Sequence, residues 1–275
     1  MNRSLGLSDV GRIRAHNEDA FRSNDGLGLF VLADGMGGHL AGEVASNMAV
    51  EMVVRRYTEL AENHRVGLGL DEPEELSDGG RQMVHLIHLA NKAIYESAQQ
   101  NPNQQGMGTT IVALLLEKDR AVYAHLGDSR IYLFRGGELI QLTRDHSLVQ
   151  EQLDRGLISQ AEARKSEMRH VVTRAMGIEP EVDVSVGEEL VRSGDRFLLC
   201  SDGLTDLVED SEIREVLAVG GEDLTPLAQR LIDLANARGG KDNVTVILVE
   251  TTGPQKQQGI LESIRDWFAR LFQRG

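Results

Sequence analysis

The sequence predicts an α+β domain, and three observations carry that reading. Short apolar runs bounded by turn residues recur through the middle of the chain; two long segments before them carry apolar residues at helical spacing; and further strands, interleaved with one more helical stripe, close the pattern. The first clear strand is Phe30-Val31-Leu32-Ala33, ended by Asp34-Gly35. Next, apolar residues fall at Leu40, Ala41, Val44, Ala45, Met48, Ala49, Met52 and Val53, a stripe wide enough to lie on a sheet, so the glycine-rich turn after Asp34 leads into a helix. A second helix is expected across Met83 to Ala98. Between the two, residues 68–75 read as an acidic surface connection.

Residues 110–116, 121–126, 131–134 and 138–142 are short apolar runs separated by turn residues, as in an antiparallel meander, which puts Asp128 in a hairpin. Residues 144–168 are charged and helical without a strong apolar period, which suits a flap better than a core element. Strands resume at 182–186, 196–200 and 244–249. A helix over 224–237 is closed by Gly239-Gly240. Spacing alone does not show how these strands are arranged.

Composition bounds the function. A chain of 275 residues with 41% hydrophobic content can bury the core of one large domain. Lys+Arg 29 against Asp+Glu 43 gives a net charge of -14, which argues against general affinity for nucleic acid or anionic membrane. The single cysteine, Cys200, rules out a disulfide within the chain and sits in an apolar run. A cysteine-dependent phosphatase would need an arginine close behind its thiolate; Ser201-Asp202-Gly203 brings acid instead. No signal-like segment opens the sequence and no stretch approaches ~20 uninterrupted apolar residues, so the expectation is a soluble, cytoplasmic protein.

The chemistry lies in scattered aspartates. Asp34-Gly35-Met36-Gly37-Gly38, Ser201-Asp202-Gly203 and Lys241-Asp242-Asn243 each adjoin a strand-like run, and Arg14-Ala15-His16-Asn17-Glu18-Asp19 precedes them. Mg²⁺ and Mn²⁺ are hard ions that take oxygen ligands and keep several waters, so a few carboxylates held at strand ends suit them. Together these motifs point to phosphoester hydrolysis. Asp-Gly is also an ordinary turn signal, and Asp25-Gly26 and Asp78-Gly79 are read as turns only.

In their order, these pieces resemble the PPM family of metal-dependent serine/threonine protein phosphatases (type 2C), particularly its compact bacterial members. The resemblance runs from about Gly6 to Val249. It rests on Gly11-Xaa-Xaa-Arg14-Xaa-Xaa-Asn17-Glu18-Asp19, Asp34 to His39, Gly108-Thr109-Thr110 and His125-Leu126-Gly127-Asp128-Ser129-Arg130. Thr143-Xaa-Asp145-His146-Ser147, Val172 to Gly177, Ser201 to Thr205 and Asp242-Asn243-Val244-Thr245 complete it.

The resemblance implies a four-layer α-β-β-α sandwich of two antiparallel sheets flanked by helices, with a phosphatase domain over residues 1–252 and a flap at about 144–181. It implies two Mn²⁺ or Mg²⁺ ions holding a bridging water that attacks phosphoserine or phosphothreonine, with no covalent enzyme intermediate. Asp34 would bridge the ions, Asp202 and Asp242 would complete the first, and the Gly35 carbonyl and a water on Glu18 would serve the second. Asp128, with Asp202, matches a weaker third metal site. Arg14 would bind the substrate phosphate in its planar fork, and Asp19 and Asn243 would support the ligands. The substrates implied are phosphorylated proteins, targets of a bacterial serine/threonine kinase, acted on by a monomer.

Two departures stand out. Animal members place a histidine, proposed as general acid, directly after the metal-binding Asp-Gly; here that residue is Met36, which leaves the acid open between a metal-bound water and His39, itself more simply a surface histidine at a helix start. Ser166-Glu167 stand where many bacterial relatives carry His-Pro. His85 and His88 lack the pattern of a zinc pair and read as packing or surface residues.

Beyond the domain, residues 253–259 form a polar linker. Ile260, Leu261, Ile264, Trp267, Phe268, Leu271 and Phe272 then fall on one helical face, expected to dock on its own domain, a partner or a membrane surface. Three rival functions compete with this reading. A dinucleotide fingerprint fails because Leu40 takes the third glycine position. A catalytically silent signalling module of the same fold would have lost carboxylates that are all present here. A hydrolase for small phosphoesters would share the chemistry and differ in its substrate.

Overall fold

The computed structural model describes residues 2–37, 40–62, 75–163, 166–221 and 223–251. His39, nearly all of the acidic connection at 68–75 and the linker and amphipathic stripe at 253–275 lie outside the described residues.

The chain begins with β1 (Arg3–Asp9), β2 (Asp19–Asn24) and β3 (Leu29–Met36), followed by α1 (Ala41–Glu62) and α2 (Asp78–Gln100). Next come β4 (Gly108–Thr109), β5 (Ile111–Leu116), β6 (Arg120–Leu126), β7 (Arg130–Arg135) and β8 (Glu138–Gln141). The flap holds α3 (Leu148–Asp154), α4 (Gln160–Ala163) and a 3₁₀ turn (Glu167–His170). The chain then forms β9 (Ser185–Leu190), β10 (Arg196–Cys200), α5 (Asp202–Thr205), α6 (Asp210–Ala218), α7 (Thr225–Ala237) and β11 (Val244–Glu250).

Two antiparallel sheets result. One runs β1-β11-β10-β7-β8 and the other β2-β3-β5-β6-β9, with β4 added against the end of β3. The continuous apolar runs of the central strands have a simple cause, since both faces of each strand are covered. Phe30 and Leu32 of β3, Val112 and Leu114 of β5, Phe197 and Leu199 of β10, and Ile247 and Val249 of β11 meet between the sheets. The alternate residues turn outward: Val31 and Ala113 to α1 and α2, Leu198 and Val246 to α6 and α7. Three apolar layers therefore separate four structural ones, the α-β-β-α sandwich.

Three expectations are corrected. The middle strands are not one meander: β5 and β6 form a hairpin in one sheet, β7 and β8 a hairpin in the other, and residues 127–129 carry the chain across. Asp128 thus sits at a crossing between sheets instead of in a hairpin. Period-two patterning marks strands without saying which sheet each joins. The strand expected at 182–186 pairs as Ser185–Leu190, because the polar stretch from Gly187 to Glu189 forms an edge strand along β6. Asp78-Gly79 opens α2, whose first turn is capped where Ser77 Oγ accepts from Gly80 N at 3.1 Å.

Candidate active site

The carboxylates converge at one end of the sandwich because strand ends of both sheets meet there. Asp19 starts β2 and pairs in register with Asp34 of β3. Asp202 follows β10, and Asp242 precedes β11, which pairs with β10. Asp128 enters from the crossing before β7. A cavity of about 530 Å³ is lined by Arg14, Glu18, Asp34, Gly35, Asp128, Asp202, Asp242 and Asn243. Nearly every residue singled out in the sequence is thereby brought together; Asp19 lies behind the lining, and His39 is outside the described residues.

Backbone contacts hold these loops to tight tolerances. The Thr110 hydroxyl accepts from Asp34 N at 3.1 Å while Thr110 N donates to Asp34 O at 2.8 Å, and Thr109 Oγ1 donates to the same carbonyl at 2.8 Å. Thr110 Oγ1 also lies 2.8 Å from Ser129 Oγ, tying the Asp34 loop to the Asp128 crossing. Asn243 accepts from Glu18 N at 2.8 Å through Oδ1, and its Nδ2 donates to the carbonyls of Val10 and His16, both at 3.0 Å. It thereby fixes the loop that presents Arg14 and Glu18. A Cβ on Gly35 would stand 2.2 Å from the Gly42 carbonyl oxygen, and one on Gly203 would stand 1.9 Å from that of Asn243. Only glycine allows these strand ends to approach so closely.

The electrostatics are those of crowded acid. Burial, then the charges of Asp19, Asp202, Asp128 and Asp242, hold the Asp34 carboxyl well above its usual range. Asp202 is raised well above the ordinary value for the same reasons, burial first and Asp128 next. Burial also lifts Asp128 to about 7 and Asp19 to about 6, the latter against hydrogen bonds from Thr245 and Ser201. Those bonds reach Asp19 Oδ2 at 2.6 and 2.8 Å. Its other oxygen, Oδ1, is buried without a hydrogen-bond partner among the described residues. Arg14 Nη2 meets Asp242 Oδ2 at 2.6 Å, so the phosphate-binding candidate pairs with a candidate ligand. Mutually repelling oxygens around a cavity, with a buried acceptor left over, fit a hard divalent cation.

The flap adds residues that the sequence reading assigned no role. Arg169 and His170 line the same cavity. His170, Asp202 and Asp206 bring a nitrogen and two carboxylate oxygens within 4.8 Å of one another. Asp206 was legible only as the residue one turn after Asp202, since no motif marks it. His88 is half-buried, with its Nε2 3.0 Å from the Val182 carbonyl oxygen, and it does not line this cavity. Cys200 is fully buried, and burial pushes its thiol up to about 12.

Comparison with known proteins agrees with this geometry. The profile of the family described as Protein phosphatase 2C matches residues 12–248. The serine/threonine phosphatase stp of Listeria monocytogenes is 40% identical over 252 residues, covering 90% of this chain and 96% of that one. The serine/threonine protein phosphatase PstP of Mycobacterium tuberculosis is 40% identical over 88% of this chain and 44% of its own length. Among solved structures, the catalytic domain of PstP in complex with two manganese ions superposes with a TM-score of 0.76 at 39% identity, over 90% of this chain and 97% of that one. On this evidence the chain belongs to the protein phosphatase 2C family.

Proposed function

We propose that this protein removes phosphate from phosphoserine and phosphothreonine in proteins, using two Mn²⁺ or Mg²⁺ ions, and so reverses the action of a serine/threonine kinase. The observation that carries the reading is the convergence of Asp34, Asp202 and Asp242 on one cavity beside Arg14. The manganese-bound PstP relative supports the choice of ion. When bound, such ions supply an activated water and neutralise phosphate charge.

In this proposal Asp34, Asp202 and Asp242 would hold the two ions together with the Gly35 carbonyl, Glu18 would act through a water, and Asp128 with Asp202 would serve a third ion. Arg14 gives its planar donors to the substrate phosphate, exchanging its contact with Asp242. Asp19 orients its neighbours from behind through its fixed hydroxyl partners, and Asn243 holds the loop of Arg14 and Glu18 in place. The open cavity beside the flap suits a side chain displayed on a protein surface. The phosphatase unit spans residues 1–252 and acts as a monomer, and residues 253–275 follow it in sequence as a candidate contact segment for the domain, a partner or a membrane surface. Among the described residues no helix is long and apolar enough to cross a membrane.

A silent module of this fold is disfavoured because Asp34, Asp202, Asp242, Glu18 and Asp128, the carboxylates expected to serve the ions, all line the cavity. The substrate class is tested by comparing kcat/KM for a phosphothreonine protein, the matching phosphothreonine peptide and small phosphoesters with Mn²⁺. The proposal expects the protein substrate to be preferred; a clear preference for a small phosphoester would move the reading to a small-molecule hydrolase.

A further inference from the structure

A histidine of the flap reaches the cavity that holds the carboxylates. His170 ends the 3₁₀ turn of the flap and lines the cavity together with Arg14 and Asp34. Its Nδ1 lies 2.9 Å from Asp206 Oδ2. Asp206 is itself fixed, because it closes α5 and its N–H donates to the Asp202 carbonyl at 2.8 Å. A carboxylate on one imidazole nitrogen sets the ring's orientation and tautomer, and the second nitrogen is then available to a substrate.

We propose that His170 Nε2 donates the proton to the leaving serine or threonine oxygen, with Asp206 as the residue that positions it; this rests on the phosphatase reading above. As the water oxygen bonds to phosphorus, the bond from phosphorus to Oγ breaks and its electron pair stays on Oγ. That pair takes the Nε2 proton, so the product is a neutral hydroxyl and the ring is left neutral. The attacking water releases one proton as it becomes a phosphate oxygen, and the ring regains one from solvent. Atoms and charge balance without a further reactant. Arg169, from the same turn, has its Nε 3.8 Å from Asp206 Oδ1 and shares the carboxylate with the ring.

Leaving-group dependence tests this. An alkoxide leaving from phosphothreonine needs a proton, whereas p-nitrophenolate leaves without one. Steady-state kinetics with Mn²⁺ would compare the native chain with His170→Gln, His170→Ala and Asp206→Asn on a phosphothreonine peptide and on p-nitrophenyl phosphate. The glutamine amide can still hold Asp206, so a merely structural role would survive in His170→Gln. The proposal expects both His170 variants to lower the ratio of kcat on the peptide to kcat on p-nitrophenyl phosphate by about 10²-fold, and Asp206→Asn to lower it in the same sense by less. Equal losses on both substrates, a change confined to KM, or recovery by raised Mn²⁺ would overturn it. A native chain inactive on both substrates would instead contradict the phosphatase reading itself.

Discussion

Each side chain at the acidic cavity is costly in isolation and makes sense only as part of a charge-balanced set. Arg14 is the informative case. It pairs with Asp242 at 2.6 Å, but both side chains are partly exposed, so the contact adds only ~0–1 kcal/mol to folding. Arg14→Ala should therefore leave the melting temperature nearly unchanged while raising KM for a phosphothreonine peptide, as steady-state kinetics and a thermal melt would read. The carboxylates carry a pH dependence of definite sign. Asp19 at about 6 and Asp128 at about 7 stand above their ordinary 3.8, so the folded chain retains protons that the unfolded chain has released. Their stabilising contribution is present below that ordinary value and is lost as pH rises through about 6 and then 7. Metal-free protein should melt at lower temperature near pH 8 than near pH 5 on their account, and Mn²⁺ should narrow the gap; melts in EDTA and in Mn²⁺ at both pH values would check this.

Among the elements, precision comes from strand ends and the turns that join them. Gly203 is the second residue of α5 and packs against the Asn243 carbonyl, so an added Cβ has no room there. Gly203→Ala should cost on the order of 1–3 kcal/mol and reduce turnover as well, because it pushes apart the loops of Asp202 and Asp242. Urea unfolding and phosphate release would register the two losses together. Part of this was legible in the sequence: an apolar run leading to Asp-Gly announces a strand end, and β10 ends at Cys200 just before Ser201-Asp202-Gly203, whereas β3 runs on through Asp34-Gly35 to Met36 because Gly35 and Met36 pair with Thr109 and Gly108 of β4. The crossing at Gly127-Asp128 was not, because alternation says nothing about which sheet receives the next strand. Edge strand β9 was misplaced for a related reason, since Glu188 and Glu189 hide its ladder from any hydropathy pattern. Asp206 and His170 were missed as site residues because their meeting depends on how the flap folds back over α5.

For the whole molecule, two sheets with three apolar layers form a rigid base that brings together acids distant in the sequence. Phe30, Phe197, Ile247 and their neighbours fill the space between the sheets and hold the Asp34 edge against the Asp202 and Asp242 edge. The four-layer arrangement followed from the family resemblance and not from periodicity, which fixed only the α+β class. Charge balance supplied by metal is what makes this cavity hydrolytic in the proposed mechanism. The most direct measurement is phosphate release from a phosphothreonine peptide by protein treated with EDTA and then supplied with Mn²⁺, in the native chain and in Asp242→Asn. Activity lost with EDTA, restored by Mn²⁺ in the native chain and absent from the folded variant is the predicted result; turnover that persists in EDTA, or in Asp242→Asn, would contradict it.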